Sequence, residues 1–578
     1  MERRRPLDAL GSTRERAVIS LKRVSALLTG LVLPLVAAAG QSACPRDISL
    51  SALVEQQRWE EIVRCFPPSP GGTADADYSY GIALARLQRW TEAASAFEAG
   101  AAKAPSEKRF SLELAGVAFR QDLHSAAKQH LQRALRLDPD DGYANDFLAT
   151  LFFLEGNLEA ALKYWNRAGK PWIENVNAEP ELLLDAVLLD RAFAFSPGSI
   201  ATAGDLAASR KRIELLNAFP AYRIELLARN DERFDVGFHA VERNGWGRGP
   251  LGATLGLLRG IPYQTVYPEY FNAGGTATNV RSLLRWDANK RRAFLAISGP
   301  LGGEAKRRYE FFFDGRDENW QVPYIGGPAP LKEFGLERQG AGFRLSSVVT
   351  GALTWRAGVA LAHRSFPDAV RDSNSAARFL PGWLGRSQVG VDYQLFHHPE
   401  QRLTLDSSTD WQVSKLWDQG GSVFSQAGSG LTLRWLPRSR GDDYATTLHW
   451  KAGTTIGEAP FDALYALGLE RDNDLWLRGH MGTRDGKKGH APLGDRYALF
   501  NAEIDKQVYR GPFLTISFGP FLDGGWISDS GGTFGSNGWL WDSGLQCKIR
   551  TIEGLVVRLI YGRSLRSGRG GFYGMSER

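Results

Sequence analysis

The chain has 578 residues, too long for one ordinary soluble domain, so two or three domains are expected. Its 43% hydrophobic content and negative mean hydropathy exclude a helical membrane protein but leave open a barrel, whose alternating strands average out in hydropathy. A formal charge of +6 is modest for this length and gives no sign of nucleic-acid binding.

Residues 1–43 read as a signal peptide. Seven cations (Arg3, Arg4, Arg5, Arg14, Arg16, Lys22, Arg23) precede an apolar core from Val24 to Ala39, and Ala37-Ala38-Ala39-Gly40 offers a small-residue cleavage site. With Gly30 and Pro34 inside it, the core falls short of the ~20 residues a membrane anchor needs. Ser42-Ala43-Cys44 approaches a lipobox, but Gln41 stands where an aliphatic residue belongs. The other cysteines are Cys65 and Cys547. In an oxidising compartment Cys44 and Cys65 can close one disulfide around the first helical hairpin, while Cys547 sits in a strand pattern as a lone apolar side chain.

Residues 44–178 repeat. Gly81, Ala93, Phe97 and Pro105 align with Ala115, Ala127, Leu131 and Pro139, then with Ala149, Ala161, Trp165 and a weaker end near Pro171. Small residues at the first two positions let paired helices approach, the large one fills the gap, and proline stops the second helix. This is the signature of tetratricopeptide repeats, here three full copies and an earlier capping half-match at Trp59, Ile62 and Phe66. Such arrays dock peptides or proteins.

Residues 182–244 change character: an apolar strand (Leu189 to Phe195), a helix from about Asp205 to Asn217, then strands Ala221 to Ala228 and Phe234 to Glu242. The order resembles a POTRA domain, a small periplasmic module that binds clients by strand addition.

From Gly245 to residue 578 no helical period is readable. Short alternating runs alternate with turn clusters, giving about 16 strands in a transmembrane antiparallel barrel. The runs include 280–287, 292–298, 308–314, 342–348, 353–363, 388–396, 403–413, 430–435, 444–451, 462–469, 496–509 and 513–526, with 555–563 the last. The 17 Trp and 64 Gly suit interface girdles and many turns. Leu475-Trp-Leu-Arg478-Gly479-His480 forms a glycine-punctuated loop, and Phe521-x-Asp523-x-Gly525 lies on a strand beyond it, with Glu503 on the strand between. The loop run resembles the [V/L]-R-G-[F/Y] motif of the BamA/TamA superfamily of outer-membrane assembly and translocation barrels, and the strand run resembles that family's partner motif. The resemblance implies that Arg478 pins the loop against Asp523 inside the barrel, with Glu503 as a secondary partner. His480 departs from the usual aromatic residue.

No HExxH, GxxxxGK[ST], GxSxG or paired CxxC motif occurs, so no enzyme activity, metal or cofactor is expected. Gly247-Arg-Gly249-Pro-Leu-Gly252 matches GxGxxG only formally and reads as a barrel turn; His397-His398 reads as a loop pair. The expected architecture is multidomain α plus β: a helical solenoid, a POTRA-like domain and a barrel. The expected place is the bacterial outer membrane, with the N-terminal domains in the periplasm. The expected partners are outer-membrane lipid and client polypeptides or a periplasmic protein. The alternative is an exopolysaccharide-export porin carrying the same repeats.

Overall fold

Helix pairs that must pack closely need small residues at their crossing points, and the first part of the chain supplies them at a fixed interval. The computed structural model of the chain describes residues 49–577, apart from 230–232, 248, 323–331, 370–375, 418–421, 438–442, 531–533, 537 and 552–553. The signal-peptide segment and Cys44 lie outside the described residues; Cys65 is disulfide-bonded and Cys547 carries a free thiol. The chain divides into two compact units. The first holds residues up to Glu174 with 198–203 and 226–235; the second holds 175–197, 204–225 and 236–578.

In the first unit, helices Ala74–Arg86, Lys108–Arg120 and Gly142–Leu154 each pair with a following helix, at Trp90–Lys103, His124–Leu137 and Leu158–Trp165. Both sets start at intervals of 34 residues (74, 108, 142 and 90, 124, 158). Ala93, Ala127 and Ala161 are fully buried, as are Phe97 and Leu131. At Gly81 an added Cβ would lie 2.5 Å from Phe97 Cε1, inside a packed core. Gly81→Ala is therefore expected to destabilise this unit by about 1–3 kcal/mol through overpacking, less any helix-propensity gain. Thermal melting followed by helical circular dichroism checks it.

A three-stranded sheet follows in the order β1-β3-β2, with β1 Trp172–Glu179, β2 Ala221–Ala228 and β3 Arg233–Val241. Its helix is Ala203–Leu216. Two expectations are corrected here. The run Leu189 to Phe195 is not a strand: Asp185 caps a helix, Ala186–Ala192, by accepting from the backbone N–H of Val187 and Leu188. The third strand is instead β1, which begins inside the stretch assigned to the repeats and ends one residue beyond it.

Most of the other described residues form one large, mainly antiparallel sheet of eighteen strands. In chain order these are β4 (Thr265–Val266), β5 (Tyr270–Ala273), β6 (Thr278–Asp287), β7 (Lys290–Leu301), β8 (Glu304–Val322), β9 (Lys332–Val348), β10 (Leu353–Ser365), β11 (Gly382–His398), β12 (Leu403–Trp417), β13 (Val423–Trp435) and β14 (Tyr444–Ile456). The connection 457–495 holds only two-residue strands: β15 (Tyr465–Ala466), β16 (Thr483–Arg484), β17 (Lys487–Lys488) and β18 (Leu493–Gly494), of which β15 and β18 pair apart from the large sheet. Then come β19 (Arg496–Arg510), β20 (Leu514–Ser528), β21 (Leu540–Thr551), β22 (Val556–Ser564) and β23 (Gly570–Glu577). At the two ends of the strand series, β23 pairs with β22, and β4 and β5 each pair with β6.

Four further expectations are revised. The sheet ends at β23 rather than at 555–563; its glycine-rich start hid the last strand. The run 462–469 gives part of a 3₁₀ turn, Phe461–Ala463, and the two-residue β15, because its apolar side chains feed a loop core: Leu464 and Ala466 pack against a cluster in which Phe461 meets Phe334 and Phe379 at ring separations of 4.9 and 5.2 Å. The formal GxGxxG opens a helix, Gly249–Leu258, whose uniformly apolar sequence carries no readable period. His397 and His398 end β11 rather than a loop, and His398 Nδ1 lies 3.0 Å from Glu400.

Alternation along the strands separates two faces. Ile297, Phe311, Phe343 and Val359 stand in one cross-strand row, and Phe311 and Val359 are 56% and 57% exposed. One residue away on the opposite face, Glu310 holds Arg281 and Arg344, each at 2.6 Å. An apolar face turned outward over a charged, paired face inverts the usual soluble arrangement.

Candidate functional site

The 457–495 connection is folded by local hydrogen bonds before it meets the sheet. Asn473 Nδ2 donates to the carbonyls of Ala466 and Gly468 (2.9 and 2.8 Å), and Trp476 Nε1 donates to the carbonyl of Asn473 (2.6 Å). Leu467, Leu475 and Leu477 then pack with Tyr497, Leu499 and Ile527, seating the loop tip.

Arg478 is 1% exposed at that tip. Its Nε and Nη2 donate to the two oxygens of Asp523 at 2.9 and 2.6 Å, a two-pronged pairing of guanidinium and carboxylate. Its backbone N–H also donates to Asp523 (3.0 Å). Nη1 donates to Glu503 (2.6 Å) and Gln546 (3.1 Å), and the guanidinium lies 3.9 Å from the Phe521 ring centroid. The two-residue spacing of Phe521, Asp523 and Gly525 places all three on one face of β20. Gly525 admits the loop's leucines: a Cβ there would stand 3.1 Å from Leu467 Cδ1 and 3.3 Å from Leu477 Cδ1.

Strand register supplies the rest. Asn501, Asp523 and Asp542 form one row across β19, β20 and β21. Asn501 Nδ2 donates to Asp523 (2.8 Å), while Asp542 accepts from the Gly479 N–H (2.5 Å) and faces His480 Nδ1 (3.0 Å). His480, in place of the aromatic residue, thus makes a polar anchor. The next row runs Glu503, Phe521, Gly544, Gly562 and Gly571. The loop rests on this glycine lane, by its backbone at Gly562, where a Cβ would lie 2.1 Å from the Arg478 carbonyl oxygen, and by a side chain at Gly571, where one would lie 2.8 Å from Met481 Cε. Lys548 neutralises the remaining carboxylates, 2.6 Å from both Glu503 and Asp505.

The structure therefore brings Arg478, Gly479, Glu503, Phe521, Asp523 and Gly525 together. Sequence reasoning missed Asp542, Gln546 and Lys548 on β21, although their period-2 spacing on a strand adjacent to the motif was a usable signal. It also missed a second anchor. Asp472 sits 2.8 Å from Arg285 and 2.6 Å from Arg292, and Lys488 lies 2.7 Å from Glu318. The connection is thus bound to β6–β8 as well as to β19–β22. Asp472→Asn is expected to cost about 1–3 kcal/mol, because Arg292 keeps Asp314 and Lys488 keeps Glu318, leaving Arg285 short of its carboxylate. A lowered midpoint of heat-modifiable gel migration would register it.

Among the described residues there is no grouping of His, Cys, Asp or Glu suited to hold a metal ion, and no helix is long and apolar enough to cross a membrane, which says nothing of strands.

No protein-family description and no curated protein matches this sequence. Solved structures do resemble it. BamA from Haemophilus ducreyi lacking POTRA domains 1–3 is 12% identical over 70% of this chain and 84% of its own, at a TM-score of 0.41. CdiB from Escherichia coli is 14% identical over 70% of this chain and 75% of its own, at 0.46. CdiB from Acinetobacter baumannii is 12% identical and covers 100% of both chains, at 0.42.

Proposed function

We propose that this chain is an outer-membrane assembly or translocation factor. Its large sheet closes as a membrane-spanning barrel, and its N-terminal repeats and POTRA-like domain receive client polypeptides in the periplasm. The observation that carries the reading is the loop tip itself: a fully buried Arg478 held by Asp523 and Glu503, with its backbone pressed on Gly562. A closed barrel satisfies every strand edge, as a bilayer demands, and the outward apolar face supplies the lipid contact. The 34-residue helix pairs support a tetratricopeptide solenoid, and the sheet with its helix Ala203–Leu216 supports a POTRA-like module. Clients bind there by strand addition, without nucleotide or covalent chemistry.

The polysaccharide-porin reading fares less well on one point. Its lumen needs unpaired carboxylates for a cationic polymer, whereas Glu310, Asp314, Glu318 and Asp472 are each held by arginine or lysine. The test is reconstitution. Proteoliposomes carrying the chain are expected to accelerate the folding of an unfolded outer-membrane barrel added outside, read as its heat-modifiable band. No acceleration, together with a steady open conductance in planar bilayers, would overturn the proposal.

A further inference from the structure

The helix Gly249–Leu258, Gly-Pro-Leu-Gly-Ala-Thr-Leu-Gly-Leu-Leu, contains no charged residue. A ten-residue helix that is apolar all round belongs in a protein core, yet this one is open: Leu255, Leu257 and Leu258 are 55%, 38% and 41% exposed, and Ile261 just beyond is 46% exposed. Its start meets an exposed strand residue, and its end is held by the connection between β4 and β5. At the start, Trp246 meets Tyr270 edge-on at 5.5 Å. Tyr270 is paired with Val280, two and three such steps along β6 from the exposed Leu284 and Trp286 on the same face. At the end, the Leu257 carbonyl accepts from the N–H of Tyr267, and Arg259 forms a buried pair with Glu269 at 2.9 Å while stacking on Tyr267.

The segment that follows lies along the last strand. Tyr263 OH and Ser576 Oγ bond the carbonyls of Gly574 and Arg259. Phe572, on the same side of β23 as Ser576, is 68% exposed. The helix therefore stands where the ends of the strand order meet, continuous with apolar side chains on β6 and on β23.

We propose that the helix Gly249–Leu258 is a lipid-inserted element, lying in the bilayer over the junction of β23 with β4 and β5. This rests on the membrane-spanning reading of the large sheet. A bilayer is the occupant the surface fits, because the exposed side chains are aliphatic, Trp246 is exposed at one end, and the helix carries no charge that would have to enter lipid. A soluble partner would need polar groups at the rim, which the helix lacks.

The test places single spin labels at Leu255→Cys, Leu258→Cys and Ile261→Cys in a Cys547→Ser background of the full chain in nanodiscs. Leu361→Cys on the outward face of β10 and Tyr143→Cys on an exposed helix serve as references. Folding is checked by heat-modifiable migration, and any label site that fails it is replaced by another of the three. Oxygen is expected to relax the helix labels more than a water-soluble nickel chelate does, as at Leu361 and opposite to Tyr143. Water-like labels on the helix with a lipid-like Leu361 would overturn the inference alone. A water-like Leu361 would overturn the membrane reading and the inference with it.

Discussion

Arg478→Ala is expected to cost about 3–5 kcal/mol, the usual penalty when one partner of a buried pair is removed and the other is left behind. Asp523 is 0% exposed and would keep only Asn501 and the backbone N–H of residue 478. Glu503 would suffer less, because Lys548 and Gln546 still bond it. Charge reversal sharpens the test. Arg478→Glu sets a third carboxylate between Asp523 and Glu503, and Asp523→Arg faces one guanidinium with another. Each is expected to abolish the heat-modifiable folded band. The double reversal is expected to restore it only in part, because Glu503 stays beside the new carboxylate and an arginine at 523 cannot accept the backbone N–H. If both single reversals keep the folded band at full intensity, the charges merely line a wet space and the loop is not held there.

Gly562→Ala is the second large effect, and it acts without touching a charge. The new methyl would sit 2.1 Å from the Arg478 carbonyl oxygen and 2.6 Å from its carbon, so backbone rather than a flexible side chain must give way. Gly479→Ala meets the same wall from the loop side, 2.6 Å from the Ser564 nitrogen. Both changes are expected to lift the tip, costing about 1–3 kcal/mol or more. The lifted tip is read as tryptic cleavage after Arg478 by mass spectrometry, absent from the unmodified chain. Gly525→Ala is the contrasting control: its neighbours are leucine methyl groups at 3.1 Å and beyond, which can rotate aside. Cleavage after Arg478 at equal rates in all three variants and the parent would dismiss the close approach as a determinant.

What could be read ahead of the structure follows from the range of each interaction. The helix pairs were legible because their packing is local and recurs at one interval. Most long strands were legible because period-2 alternation survives wherever one face is apolar and the other charged. Arg478 and Asp523 could be singled out by motif; period-2 spacing marked Asp542, Gln546 and Lys548 as one strand face, but setting Asp542 opposite Asp523 needs the β20–β21 register. The partners of Asp472 lie 180 and 187 residues away, beyond any local pattern. The helix at 249–258 was invisible for the opposite reason: with every position apolar or small, no face differs from another. The run Leu189 to Phe195 reads as a strand because it is short and apolar, whereas the helix Ala186–Ala192 that covers its start is signalled by the capping aspartate at 185.

The two anchors of the 457–495 connection have a mechanical meaning. The two flanks of the segment's tip are riveted by Asp472 and Lys488 to β6 and β8, and the tip itself by Arg478 and Gly479 to β20 and β21. In the closed barrel proposed above, a segment of fixed length held in both places acts as a tie rod across the junction of β23 with β4. Spreading that junction loads the rod in tension, so the strands cannot part far until one set of ion pairs gives. In that barrel, Tyr263 to Gly574 and Ser576 to Arg259 tie the junction directly, and the ion pairs of Asp472 and Arg478 tie it from across the ring. The force that opens the wall is thereby set by residues that never touch its edge.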